Sequence, residues 1–318
     1  MLPAMSQPTD VVLDSAAAYP EINALRAALA RRDWPACRTL LDSAGSMERT
    51  GLIRAVCEDE GLEGFLRAVL AADPADGAAS ALLGTHLIDV GWKIRTGARA
   101  QYVSREQFAA FHDWLRKAEQ VLIDGAAYNP KDPAVWTARI TSARGLQLGL
   151  AESRRRYDRL TAADPYHLPG QLQLLQMLCP KWDGSWEQVH EFARDAVGAA
   201  PAGGPHGVLI AEAHIEHVFD ADNRAEMMGY LANEQVRAEI YQAAQRSIWH
   251  PGFGRGYGWI EALSSFALLF MLLDDQRAAA ATFTAMGNLA TRHPWDYLAD
   301  DVVTQIQQAR TWALGGKR

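Results

Sequence analysis

The chain is poor in cysteine, holding only Cys37, Cys57 and Cys179. These form neither a CxxC pair nor an even set, which excludes a disulfide framework and a cysteine-built zinc ribbon and predicts buried thiols in a reducing compartment, the cytoplasm. Long apolar runs are missing too. The longest, Phe266 to Leu273, is eight residues, far below the roughly 20 that a membrane-spanning helix requires, so no membrane partner is expected. There is no basic excess: 31 Lys and Arg stand against 38 Asp and Glu, a net charge of -7. The arginines are scattered rather than massed on one segment, so the electrostatic footprint of a nucleic-acid binder is absent. Met1 to Asp14 lacks a basic region ahead of its apolar residues and carries Asp10 and Asp14, which argues against a secretory signal. Residues 1–18 are expected as a disordered lead.

Chemical signatures are equally sparse. No serine nucleophile elbow and no phosphate-loop lysine occurs. The glycine-rich stretch His250 to Trp259 follows no predicted strand, and the G-x-G-x-x-G register would need glycine at Tyr257, so it reads as a connection between helices rather than a nucleotide cradle. No segment alternates with period two, and essentially no sheet is expected.

What is present is a helix-pair rhythm punctuated by proline. Small-residue helix ends run into proline at Ala71-Ala72-Asp73-Pro74, Ala126 to Pro130, Ala162-Ala163-Asp164-Pro165 and Ala199-Ala200-Pro201. Proline stops one helix and pre-sets the next turn. The spacings of 35 residues from Pro130 to Pro165 and 36 from Pro165 to Pro201 match helix-turn-helix repeats, whose hairpins bury their apolar faces against their neighbours. The expected fold is all-α, an α-solenoid of antiparallel, tetratricopeptide-like helix pairs in a single domain over residues 19–315. Local signals place its helices: Asp33 and Asp132-Pro133 as helix starts, and capping boxes at Ser104 to Gln107 and Ser185 to Gln188. Gly84 stands ten residues past Pro74, where such repeats let two helices approach. Beyond Pro201 the period drifts, with helices expected over about 205–219, 223–249, 257–273, 275–292 and 294–314.

Two segments concentrate chemistry. Lys181-Trp182-Asp183-Gly184-Ser185-Trp186-Glu187 sets two indoles, a cation and two carboxylates at a helix start, where free backbone N–H groups also favour an anion; capping by Ser185 and packing of the tryptophans explain most of it without a ligand. Glu212, His214, Glu216 and His217 share one helix. His214 and His217, three apart, face one side, whereas a metal needs three or four convergent ligands, so no metal or other cofactor is expected; His214 and His217 are the candidates if one binds. The ten tryptophans are numerous, and indoles are costly unless buried or used at an interface. Trp92, Trp182, Trp249, Trp259 and Trp295 lie near turns or helix ends.

Trp92 with Arg95, Phe111, Asp132-Pro133, Ala143-Arg144-Gly145-Leu146, the Lys181-Trp182-x-Gly184-Ser185 corner and Ala213-His214-Ile215-Glu216 give the chain its resemblance. Over roughly residues 20 to 220 it resembles a group of actinobacterial tetratricopeptide-like proteins, in which the corner is commonly Lys-Trp-Gly-Gly-Ser; here Asp183 takes the middle position. The resemblance implies an all-helical repeat fold and carries no activity. The expected function is a non-enzymatic scaffold that holds a protein or peptide on a face lined by Trp92, Arg95, Lys181, Trp182, Ser185 and Glu187. The alternative is an enzyme or small-ligand binder in which the insertion Arg95 to Val103 and the Lys181-Trp182 corner close over a pocket with His214 and Glu216, metal-dependent in one form. A homodimer is compatible with an uncapped solenoid end.

Overall fold

A computed structural model of the chain describes residues 10–96 and 102–315; most of the insertion Arg95 to Val103 lies outside the described residues. The protein is all-helical, with 17 α-helices and no strand among the described residues. One extended pairing occurs there, a parallel bridge between Val12 and Leu289. Of the segment expected as a disordered lead, residues 1–9 are not described; Val12 belongs to that bridge, and Asp14 caps α1 (Ser15–Ala18). Contacts divide the chain into two compact units, Pro20–Gln188 and Met1–Tyr19 with Val189–Arg318.

Pro20–Gln188 contains α2 (Glu21–Ala30), α3 (Trp34–Ser43), α4 (Ser46–Val56), α5 (Leu62–Ala72), α6 (Gly77–Arg95), α7 (Arg105–Tyr128), α8 (Pro133–Gly145), α9 (Leu150–Thr161) and α10 (Leu168–Leu178). The starts follow from side-chain caps that satisfy otherwise orphaned N–H groups. Asp33 Oδ1 accepts from Ala36 N–H at 3.1 Å, and Asp132 Oδ1 from Ala134 N–H at 3.0 Å. Ser104 and Gln107 cap each other reciprocally at 3.1 and 3.0 Å. The long helices α6 and α7 pack along each other. Gly84 makes room there: a Cβ at this position would overlap the Leu122 side chain. A buried charge network ties α7, α8 and α9 together. Arg156 donates to Glu119 at 2.6 and 3.1 Å, and Ser142, wholly buried, donates to the same carboxylate. Trp136, six residues past Pro130, is buried and donates its indole N–H to the Pro130 carbonyl at 2.8 Å.

The other unit continues from within α11 (Trp186–Ala199) through a 3₁₀ turn at Pro205–Gly207 into α12 (Val208–Asp220), α13 (Arg224–Ala232), α14 (Glu234–Arg246), α15 (Trp259–Leu272), α16 (Gln276–Met286) and α17 (Val302–Ala313). Helix α12 is buried almost all round and packs against α13, α14 and α15. Trp295 is fully buried, its indole donating to Ser264 Oγ at 3.0 Å. Three sequence expectations change here. The single helix over 223–249 is two, because the Asn233 side chain accepts from Gln235 N–H at 2.8 Å and starts α14 afresh. The helix over 294–314 is a 3₁₀ turn, Trp295–Tyr297, followed by α17, which Asp301 caps. Helix α16 ends at Met286, where Gly287 takes a φ of 68°.

All three cysteines are free and buried. Burial pushes the Cys37 thiol up to about 11 and that of Cys57 to about 12, so both stay protonated and unreactive near neutral pH.

Candidate functional site

In Pro20–Gln188, the turn after α10 positions Trp182. Its backbone N–H donates to the Cys179 carbonyl at 2.9 Å. At Gly184 any Cβ would collide with the Leu178 carbonyl, so the close backbone approach falls on Gly184, beside Asp183. Trp92, near the end of α6, meets Trp182 edge to face, with ring centroids 6.1 Å apart, and leans on Phe111 at 4.8 Å. Arg95 lies over Trp92 at 5.3 Å and Phe108 at 5.6 Å. Arg144, at the end of α8, lies over both indoles, 5.8 Å from Trp92 and 5.5 Å from Trp182. Burial draws the Arg95 guanidinium below its ordinary pKa. Of the residues singled out from sequence, Trp92, Arg95 and Trp182 therefore come together. Lys181 and Glu187 are exposed on the same turn and the following helix start. Ser185 is a cap, accepting from Gln188 N–H at 3.3 Å. No local sequence signal marks Arg144 for this corner; its place over the two indoles comes from the packing of α8.

In Val189–Arg318, four helices bring together His190 (α11), His214 and His217 (α12), Tyr230 (α13) and Glu239 (α14). Tyr230 Oη stands 2.7 Å from His214 Nδ1 and 3.2 Å from His190 Nε2, and His190 Nε2 stands 3.0 Å from His217 Nδ1. His214 is 1% exposed. Its Nε2 lies 3.4 Å from Glu239 Oε2 but out of line for a hydrogen bond. Arg194 holds the other carboxylate oxygen at 3.4 Å. Burial, then the neighbouring His214 and His217, push His190 down to about 3. His217 is lowered for the same first reason, with His214 adding to it. Burial raises the Tyr230 phenol, with Glu239 adding to it. Glu239 is pushed up by burial, yet His214 and Arg194 outweigh this and hold it below the usual carboxylate range. Near pH 7 the site thus offers neutral imidazoles at His190 and His217, a protonated phenol at Tyr230 and an ionised carboxylate at Glu239.

Glu216 belongs elsewhere. It is 3% exposed and accepts from Tyr297 Oη at 2.7 Å, so the carboxylate beside His214 is Glu239. On the same side as Glu216, one turn earlier, Glu212 accepts from Ser265 Oγ at 2.6 Å and pairs with His293 Nε2 at 2.7 Å. Lys181 and Trp182 fall in one compact unit, His214 and Glu216 in the other.

A polar cavity of about 340 Å³ in Pro20–Gln188 is bounded by Arg38, Asp42, Arg49, Asn129 and Asp132. Its charges already serve one another. Arg49 grips Asp132 with two hydrogen bonds of 2.9 and 2.8 Å, and Arg38 pairs with Asp76 at 2.8 Å, which makes it the seam between capped helix starts. Compared with known proteins, the chain matches no family model, no curated sequence and no solved structure.

Proposed function

We propose that the protein is a tetratricopeptide-like helical-repeat scaffold of the cytoplasm that binds a protein or peptide segment at the aromatic–arginine corner of Pro20–Gln188. The observation that carries this reading is the Arg144 guanidinium lying over both Trp92 and Trp182. Each such contact is worth about 0.5–1 kcal/mol when exposed and about 2 when desolvated, and Trp and Arg are the side chains on which interface energy concentrates. The regular proline spacing and the Gly84 approach between α6 and α7 support the repeat reading.

The chemistry of the corner specifies its occupant. The half-buried indoles leave apolar surface beside the arginines that suits an aromatic or aliphatic side chain. Arg95, Arg144 and the exposed Lys181 gather positive charge at the corner, which favours a carboxylate beside it. An acidic segment carrying an aromatic anchor fits both. A random peptide library displayed on phage and panned on the full chain tests this. Enrichment of acidic–aromatic sequences on the native protein, reduced tenfold or more on Trp182→Ala and Arg144→Ala, is the expected result. Enrichment that is equal on native and variant baits, or no enrichment over a blank surface, contradicts it.

A further inference from the structure

We propose that His190, His214 and Glu239 form a binding site for a first-row divalent transition ion, Zn²⁺ by its donor set, within Val189–Arg318. Among the described residues they are the one group of three metal-ligating side chains whose donor atoms all lie within 4.8 Å of one another.

Geometry separates this site from an ordinary buried histidine cluster. An ion holding nitrogen and oxygen at about 2.0–2.1 Å in a tetrahedron sets its donors about 3.3–3.4 Å apart. His214 Nε2 and Glu239 Oε2 are already 3.4 Å apart. They are not hydrogen-bonded, although His214 is 1% exposed, and a polar atom left unsatisfied in the interior costs about 1–3 kcal/mol. An ion between the two atoms removes that cost. The His190 donor atom needs to close in by up to about 1.4 Å to complete the tetrahedral spacing.

The surrounding groups fit the role of supports. With Nε2 turned to the ion, His214 carries its proton on Nδ1 and donates it to Tyr230 Oη at 2.7 Å, the outer contact that fixes tautomer and ring orientation in metal-bound histidines. His217 Nδ1 stands 3.0 Å from His190 Nε2 and positions that ring. Arg194 engages Glu239 Oε1, leaving Oε2 toward His214. Two imidazoles and a carboxylate, with water in a fourth position, suit zinc or its neighbours; the nitrogen donors disfavour Mg²⁺ and Ca²⁺, which take oxygen, and the absence of thiolate from this group disfavours Cu(I).

The test is titration of the chelator-treated full chain with Co²⁺, followed by its visible ligand-field bands, with Zn²⁺ added to displace it. Saturation at a single equivalent, intense bands of four-coordinate Co²⁺ and their loss on Zn²⁺ addition are expected. Glu239→Gln, at a partly exposed position, and His190→Ala abolish the bands while far-ultraviolet circular dichroism confirms the helices. Tyr230→Phe weakens affinity roughly 10- to 100-fold, and His293→Gln, in the same unit but outside the cluster, leaves it unchanged. Native protein that gives no bands overturns the proposal, as does retention of the bands by both Glu239→Gln and His190→Ala.

Discussion

Trp92 and Trp182 stand 90 positions apart in sequence, yet their rings meet edge to face at 89° with centroids 6.1 Å apart. Arg144 bridges the pair, so the three side chains share one energetic unit. A double-mutant cycle on Trp182→Ala and Arg144→Ala should return a coupling of about 0.5–1.5 kcal/mol in urea unfolding. Additive effects would mean that the stacking contributes nothing.

Gly84 and Leu122 set the distance between α6 and α7. Gly84→Ala places a methyl group into the Leu122 side chain, and such overpacking costs about 1–3 kcal/mol. Leu122→Ala alone, at a fully buried position, costs about 2–5 kcal/mol. The combined variant should be more stable than the sum of the two predicts, because the new methyl fills part of the space that leucine vacates. Thermal or urea unfolding of the four proteins measures this.

Asp132 does two things at once. It caps α8 and takes both hydrogen bonds of the Arg49 guanidinium, while being only 9% exposed. Removing one member of a buried pair costs about 3–5 kcal/mol, so Asp132→Ala should sit in that range. Asp132→Asn keeps a good cap and loses the charge. Its cost should be smaller by about 1 kcal/mol, the usual worth of a cap, with both read by urea unfolding.

His293 links pH to stability. Partial loss of water opposes charge on its ring, yet Glu212 and Asp296 outweigh this and lift it to about 10, above the roughly 6.5 of an unfolded chain. The folded state therefore binds the proton more tightly. The stabilisation is fully present below pH ~6.5 and is lost as pH rises through about 10. With 49% of the His293 side chain exposed, water screens the pairing and the effect stays modest. Melting temperatures from about pH 6 to 10 should show native protein above His293→Gln at the acid end and the gap closing toward the alkaline end. A gap independent of pH would contradict the assignment.

Local signals in the sequence carried far. Asp33, Ser104 and Asp132 were readable as helix starts because a cap is decided within three residues, and Gly84 was readable from its distance to Pro74. The break at Asn233 was not, since asparagine costs little inside a helix and the apolar pattern continues across it. The aromatic corner was half legible: Trp92, Arg95 and Trp182 stood out by type, but Arg144 reaches them only through the packing of α8. The histidine cluster was legible only as His214 and His217, one turn apart. His190, Tyr230 and Glu239 arrive on three other helices, and no local pattern encodes where those helices cross.

The most direct test of the scaffold reading is to find where a ligand lands. Each of the ten tryptophans contributes one indole N–H signal to a proton–nitrogen correlation spectrum of the full chain, assignable with single Trp→Phe variants. Titration with an acidic peptide carrying one aromatic residue should shift the Trp92 and Trp182 signals first and most, in a saturable way, and leave the buried Trp295 signal in place. Saturable shifts confined to other tryptophans, or no shift at Trp92 and Trp182 at saturating peptide, would contradict the assignment of this corner as the binding face.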